Sequence, residues 1–142
     1  MSERFPKPAP LATPETEPYW EGCRKGELRL QRCAACERIQ FPPRRYCAGC
    51  LSDDLAWERA SGRGQVRSYT IVRVPMSPAF AADVPYAVAL VELEEGPSLL
   101  SGIRGCDLND LRIGLPVEVE FEARGDSARI PYFHPRSAEP GP

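Results

Sequence analysis

The stretch CAACERIQFPPRRYCAGC, from Cys33 to Cys50, decides how the rest of the chain is read. It sets two Cys-x-x-Cys pairs, Cys33/Cys36 and Cys47/Cys50, ten residues apart. Each such turn points both sulfurs at one spot, and Zn–S bonds of about 2.3 Å then close a four-thiolate tetrahedron with no open position. The expected metal is a structural Zn2+ held by Cys33, Cys36, Cys47 and Cys50. A closed site activates no water; it stabilises a ribbon too small to have a core of its own. Iron is the alternative at an all-thiolate site and ranks below zinc, because nothing else points to electron transfer.

Outward from the cysteines, short apolar runs supply the strands of that ribbon. Leu28 to Arg32 alternates apolar and polar and leads into the first knuckle. Glu37 to Phe41 leaves it, Pro42-Pro43 forces a turn, and Leu55 to Glu58 is the strand going out. Upstream, Thr16-Glu17-Pro18 reads as a helix start with a hydroxyl cap, and Gly26 as the stop after about Lys25. Tyr19, Trp20 and Cys23 share one face of that helix, expected against the rest of the protein or a partner.

Composition changes after Ser61-Gly62-Arg63-Gly64, which reads as a hinge whose glycines permit unusual backbone angles. Strands are expected over Val66–Val74, Tyr86–Leu93, Ser98–Ile103, Pro116–Phe121 and Arg129–Phe133, with Phe80 in a loop between the first two. Asp107 caps a short helical turn between the third and fourth. Five strands with one small helix in that position match the order of an OB-fold barrel. The expectation is a mainly β chain: a flexible leader over residues 1–15, helix and zinc ribbon over 16–60, barrel over 61–135 and a flexible tail over 136–142.

The chain has 142 residues, a net charge of −2 and sixteen prolines gathered toward its ends. That charge gives no general attraction to polyanions. The N-terminal MSERFPKPAP lacks the apolar core of a secretory signal, and Tyr86–Val91, the longest apolar run, is too short to span a bilayer. Cytoplasmic location, no membrane and reduced cysteines are expected. Charge is uneven. From Cys23 to Arg45 seven basic residues stand against Glu27 and Glu37; from Asp83 to Glu122 nine acids stand against Arg104 and Arg112. A basic ribbon suits a phosphorylated ligand, an acidic partner or plain solubility. The acidic barrel opposes a polyphosphate backbone, although Tyr69, Tyr86, Phe121 and Tyr132 could stack bases, so a single-stranded nucleic-acid module is the alternative function.

No catalytic residue is expected. Cys106 would need a basic partner, and the only histidine, His134, lies near the tail. Glu118 and Glu120 alternate onto one sheet face rather than forming an acid–base pair.

Taken together, Tyr19-Trp20, Gly26-x-Leu28-x-Leu30, the four cysteines, Pro42-Pro43-Arg44, Trp57, Ser61-Gly62-x-Gly64-x-Val66, Ser68-Tyr69-Thr70, Pro85-Tyr86, Val91-Glu92-Leu93 and Ile113-Gly114-x-Pro116-Val117 resemble the domain-of-unknown-function 35 family. The resemblance covers about Glu17 to Pro135. It implies a helix, a rubredoxin-like zinc ribbon and an OB-fold, with the zinc ligands carried over to Cys33, Cys36, Cys47 and Cys50. It also implies a setting in acyl-CoA and lipid metabolism, as a small non-catalytic companion of thiolase-like, hydratase or aldolase enzymes that binds or positions acyl-CoA. The ribbon and the helix at Tyr19/Trp20 are expected to dock on that partner. Arg44, Arg45 and Arg63 are the candidates for the CoA phosphates, because guanidinium groups fork onto phosphate and these flank the hinge. One departure stands out. The family usually has glycine after the first knuckle, and Glu37 must there accept a glycine-like angle or a looser turn.

Overall fold

The computed structural model describes residues 6–136, so residues 1–5 of the expected leader and 137–142 of the expected tail lie outside the described residues. Along the chain come α1 (Glu17–Arg24), β1 (Arg29–Cys33), β2 (Ile39–Gln40), β3 (Leu55–Arg59), β4 (Arg63–Val72), β5 (Tyr86–Leu93), β6 (Ser98–Ile103), β7 (Pro116–Arg124) and β8 (Ala128–Pro135). Short 3-10 turns cover Pro78–Phe80 and Leu108–Asp110. Among the described residues no helix is long and apolar enough to cross a membrane.

The α1 start differs from expectation. Thr16 already has helical angles (φ −101, ψ −11) and makes no side-chain cap, because capping needs an extended residue. Its hydroxyl instead accepts from Thr13 N at 2.8 Å. The far end behaves as the sequence implies. Gly26 turns to φ 77, Glu27 N–H donates to Gly22 O at 2.8 Å and Gly26 N–H to Cys23 O at 3.1 Å. That pair of bonds closes the helix in a Schellman motif, which requires a left-handed residue.

The ribbon is a three-stranded sheet in the order β2-β1-β3, and the remaining strands close a barrel in the order β4-β5-β6-β8-β7. β6 and β8 run parallel and all other neighbours antiparallel. This is the five-stranded OB arrangement. Alternation along β5 drives it: Ala87, Ala89, Val91 and Leu93 are buried, with half-exposed residues between them. β4 begins at Arg63, three residues before the expected start. Only Gly62 of the supposed hinge uses a left-handed angle (φ 78). Gly64 lies inside β4, where a Cβ would collide with the Glu92 carbonyl oxygen.

Helix, ribbon and barrel share one core. Tyr19, Cys23, Leu28 and Leu30 join Val66, Ala89, Val91, Val117 and Phe133 in a single buried cluster. Tyr19 is only 4% exposed, packed against Trp20 and Phe41 at ring distances of 4.9 and 5.4 Å. The helical face expected to meet a partner is therefore largely spent on the chain's own interior, with Trp20 left half-buried. Burial raises the Cys23 thiol to about 11, as befits a small core residue. The Tyr19 phenol is raised for the same reason.

Candidate metal centre and barrel cleft

The two knuckles are built alike. Glu37 N–H donates to Cys33 O at 2.8 Å, and Leu51 N–H to Cys47 O at 2.9 Å. Closing each turn this way requires a left-handed residue just after it, and Glu37 (φ 66) and Leu51 (φ 67) both comply. Glu37 thus takes the glycine-like angle rather than a looser turn. Leu51 is its counterpart in the second knuckle, and nothing in a leucine announces that role.

These turns bring four sulfurs together. Cys33 and Cys50 Sγ are 3.6 Å apart, Cys36 and Cys47 Sγ 3.5 Å, and all four lie within 4.8 Å of one another. A tetrahedron with Zn–S bonds of about 2.3 Å has edges of about 3.8 Å, and a disulfide would need about 2.05 Å. The cluster fits a metal ion with four sulfur ligands. Backbone donors prepare it: Cys36 N–H points at Cys33 Sγ (3.5 Å) and Gly49 N–H at Cys47 Sγ (3.3 Å). The Cys36 amide holds the Cys33 thiol below its usual range and the amides of Cys50 and Gly49 bring Cys47 to about 6, while hydrogen bonds to the neighbouring sulfurs raise Cys36 and Cys50. Cys33 and Cys47 are buried, whereas Cys36 and Cys50 are exposed.

Two buried glutamines hold the second knuckle against the first. Gln31 and Gln40 are cross-strand partners of β1 and β2. Gln40 Nε2 donates to Gln31 Oε1 at 2.8 Å, and Gln31 bonds both the N–H and the C=O of Arg44, at 2.9 and 2.8 Å. Gln40 Oε1 accepts from Ala48 N–H at 2.8 Å. Every oxygen and nitrogen of this pair has a partner, which tethers the loop between the knuckles. The period of β1 carried the signal, since it puts Gln31 on the same face as the ligand Cys33, but glutamine at such a site reads first as solvated.

A second feature lies on the barrel. A cleft of about 710 Å³ opens over β5 and β6 beneath the loop carrying Phe80, with Tyr86, Gly102, Arg104, Glu122, Tyr132, Lys7 and Asp83 in its walls. Gly102 forms its floor, because a Cβ there would come 2.7 Å from the Tyr132 ring. Arg104 lies over the same ring, 3.5 Å from its centroid, and donates to Glu122 Oε1 at 2.6 Å. Buried Arg124 donates to the Tyr132 hydroxyl (3.0 Å) and to Pro8 O (3.1 Å). Lys7 pairs with Asp83 at 2.6 Å and sits 5.6 Å from the Phe80 ring centre. An adjoining apolar groove of about 470 Å³ shares Leu100, Ser101, Gly102 and Tyr132 with the cleft and runs on to Trp20, Phe41 and Pro43.

The arginines proposed for phosphate are divided. Arg44 and Arg45 line one shallow depression beside Trp57, of which Arg63 is not part. Arg63 instead faces Glu118 at 3.6 Å. The basic surface is also smaller than the sequence suggests, since Arg24, Lys25, Arg29 and Arg32 pair with Glu17, Glu21, Glu27 and Glu58. Cys106 lies at the barrel's edge, its thiol raised by burial and by Asp110 and Asp107. His134 belongs to β8 rather than to a tail, opposite Glu118. The four rings considered for base stacking do not form one platform: Tyr86 and Tyr132 line the cleft, whereas Tyr69 and Phe121 do not.

Comparison with known proteins gives the same two modules. Residues 20–56 match the model described as the ChsH2 rubredoxin-like zinc ribbon domain, and residues 57–122 that of the ChsH2 C-terminal OB-fold domain. A probable enoyl-CoA hydratase alpha subunit of Thermomonospora curvata is 36% identical over 95% of this chain. The chain spans only 43% of that relative's length. A DUF35 domain-containing scaffold protein of Methanothermobacter thermautotrophicus is 34% identical, over 78% of this chain and 87% of its own. Among solved structures, a chain of the Ltp2-ChsH2(DUF35) aldolase superposes with a TM-score of 0.80 at 36% identity, covering 89% of this chain and 98% of that one.

Proposed function

The chain belongs to the DUF35 family of zinc-ribbon and OB-fold proteins, and we propose that it serves as a non-catalytic accessory subunit. It docks on a hydratase, aldolase or thiolase-like enzyme of acyl-CoA metabolism and holds the acyl-CoA in the cleft over β6. The observation that carries this reading is the cleft with its adjoining groove. Aromatic and apolar walls at Tyr132, Leu100, Trp20 and Phe41 suit an acyl chain, and the cations Lys7 and Arg104 stand at the other end. Relatives that are a hydratase subunit and part of an aldolase support the setting.

Zinc at Cys33, Cys36, Cys47 and Cys50 supplies folding energy and no reaction, because four thiolates leave no position for substrate. Arg44 and Arg45, which make no ion pair among the described residues, remain candidates for the CoA phosphates. Arg63 can join them only by leaving Glu118. A catalytic role for Cys106 is disfavoured by its raised thiol. The test is to mix the purified chain with the enzyme encoded beside it. Co-elution and a rise in that enzyme's turnover are expected, with no turnover by the chain alone; unchanged elution and unchanged activity overturn the reading.

A further inference from the structure

We infer that the outer edge of β4 is a docking strand for an extended, acidic segment of a protein partner. β7 covers only Arg63–Gln65 of that edge. Two more bonds follow, Val66 N–H to Leu115 O at 3.0 Å and Gly114 N–H to Val66 O at 2.7 Å. The register then shifts between Val66 and Ser68, as at a β-bulge. From Ser68 to Val72 the backbone pairs with β5 alone among the described residues. Alternate N–H and C=O groups of that stretch face away from β5 and meet no backbone partner among the described residues.

The side chains around this edge are those of an uncovered surface. Arg67, Ser68, Tyr69 and Thr70 are all exposed. Tyr69 pairs with buried Ala89, so its ring belongs to the core side, yet it is 41% exposed because no strand lies beside it. Its hydroxyl donates to Leu111 O at 3.2 Å. Val74, two residues past the edge, and Ile113, next to the Gly114 that bonds Val66, are 78% and 71% exposed.

Charge selects the occupant. The barrel as a whole is acidic, but Arg67 and Arg73 stand just before and just after Ser68–Val72, and Arg112 two residues before the Gly114 that bonds Val66, all exposed and without an ion pair among the described residues. The covered end of the same strand displays the matching chemistry. There Arg63 faces Glu118 of β7 across the pair, and β7 alternates acid with apolar as Val117-Glu118-Val119-Glu120. A partner strand completes the ladder with its backbone, carboxylates near its two ends answer Arg67 and Arg73, which flank Ser68–Val72 in sequence, and its core-facing side chains cover Tyr69. Two copies of this chain pairing edge to edge would set these arginines against their own equivalents, which is unfavourable. The inference is independent of acyl-CoA binding, since none of Arg67 to Val72 lines the cleft.

The experiment measures amide hydrogen exchange and chemical shifts of the full chain with the blocked peptide acetyl-Glu-Val-Glu-Val-Glu-Val-amide. A counterpart N-methylated at alternate residues serves as the ladder-breaking control. Exchange over residues 68–72 should slow at least about tenfold at saturation. Arg67→Glu/Arg73→Glu should weaken binding by about fivefold or more, and the N-methylated peptide should not protect. The proposal is overturned by no protection, by protection elsewhere on the barrel, or by equal binding of the N-methylated peptide. Stronger protection of the same residues by self-association or by a thymidine oligonucleotide overturns it as well.

Discussion

Glu37 and Leu51 occupy backbone angles (φ 66 and 67) that cost a side-chain-bearing residue about 1–2 kcal/mol. The knuckles tolerate this because the bonds to Cys33 O and Cys47 O, and the metal beyond them, over-determine the turn. Glu37→Gly and Leu51→Gly should each stabilise the zinc-loaded chain by about 0.5–1 kcal/mol, read from urea midpoints. Glycine elsewhere in the ribbon would destabilise it. The first position was legible as a departure from a family pattern. The second was hidden, because its strain is set by the preceding bond to Cys47 rather than by any property of leucine. Glu122 offers a prediction in pH. The hydrogen bond from Arg104 lowers its carboxyl below the usual range, so the pair contributes at neutral pH and the contribution disappears as pH falls through that lowered value. Being partly exposed, it is worth under about 1 kcal/mol. Glu122→Gln should lower the melting temperature at pH 7, and the difference from wild type should narrow as pH falls below the ordinary carboxylate range.

Among the elements, β1 and β2 act as the frame that fixes the two knuckles relative to each other. Their buried Gln31–Gln40 pair binds the backbone of Arg44 and Ala48. Gln31→Leu or Gln40→Leu leaves those groups unpaired and should cost about 1–3 kcal/mol. Zinc, titrated with a competing chelator, should also be released more readily from these variants than from wild type. Strand positions were legible in the sequence because β7 alternates, β5 is an apolar run, and both are bounded by Gly, Pro and Asp. The start of β4 was not, since Gly64 suggested a hinge when its role is to let β5 approach. The cleft was legible only as rings and one loop. Its packing of Tyr132 against Gly102 and Arg104 joins β8 to the end of β6, which no sequence spacing connects.

For the whole molecule, α1 ties ribbon to barrel, because it places Tyr19 and Cys23 in a core that reaches Phe133 of β8. Tyr19→Ala should cost about 3–5 kcal/mol, and ribbon and barrel probes should lose structure together. The proposed function divides the labour: the closed thiolate site gives shape, and the barrel cleft takes the ligand. Titration calorimetry with octanoyl-CoA tests that division most directly, comparing wild type with Gly102→Val, whose added side chain must displace the Tyr132 ring. Saturable one-to-one binding to wild type, weakened at least about tenfold in a Gly102→Val chain that still holds its zinc, is the expected result. No binding by wild type, or equal binding by the variant, contradicts it.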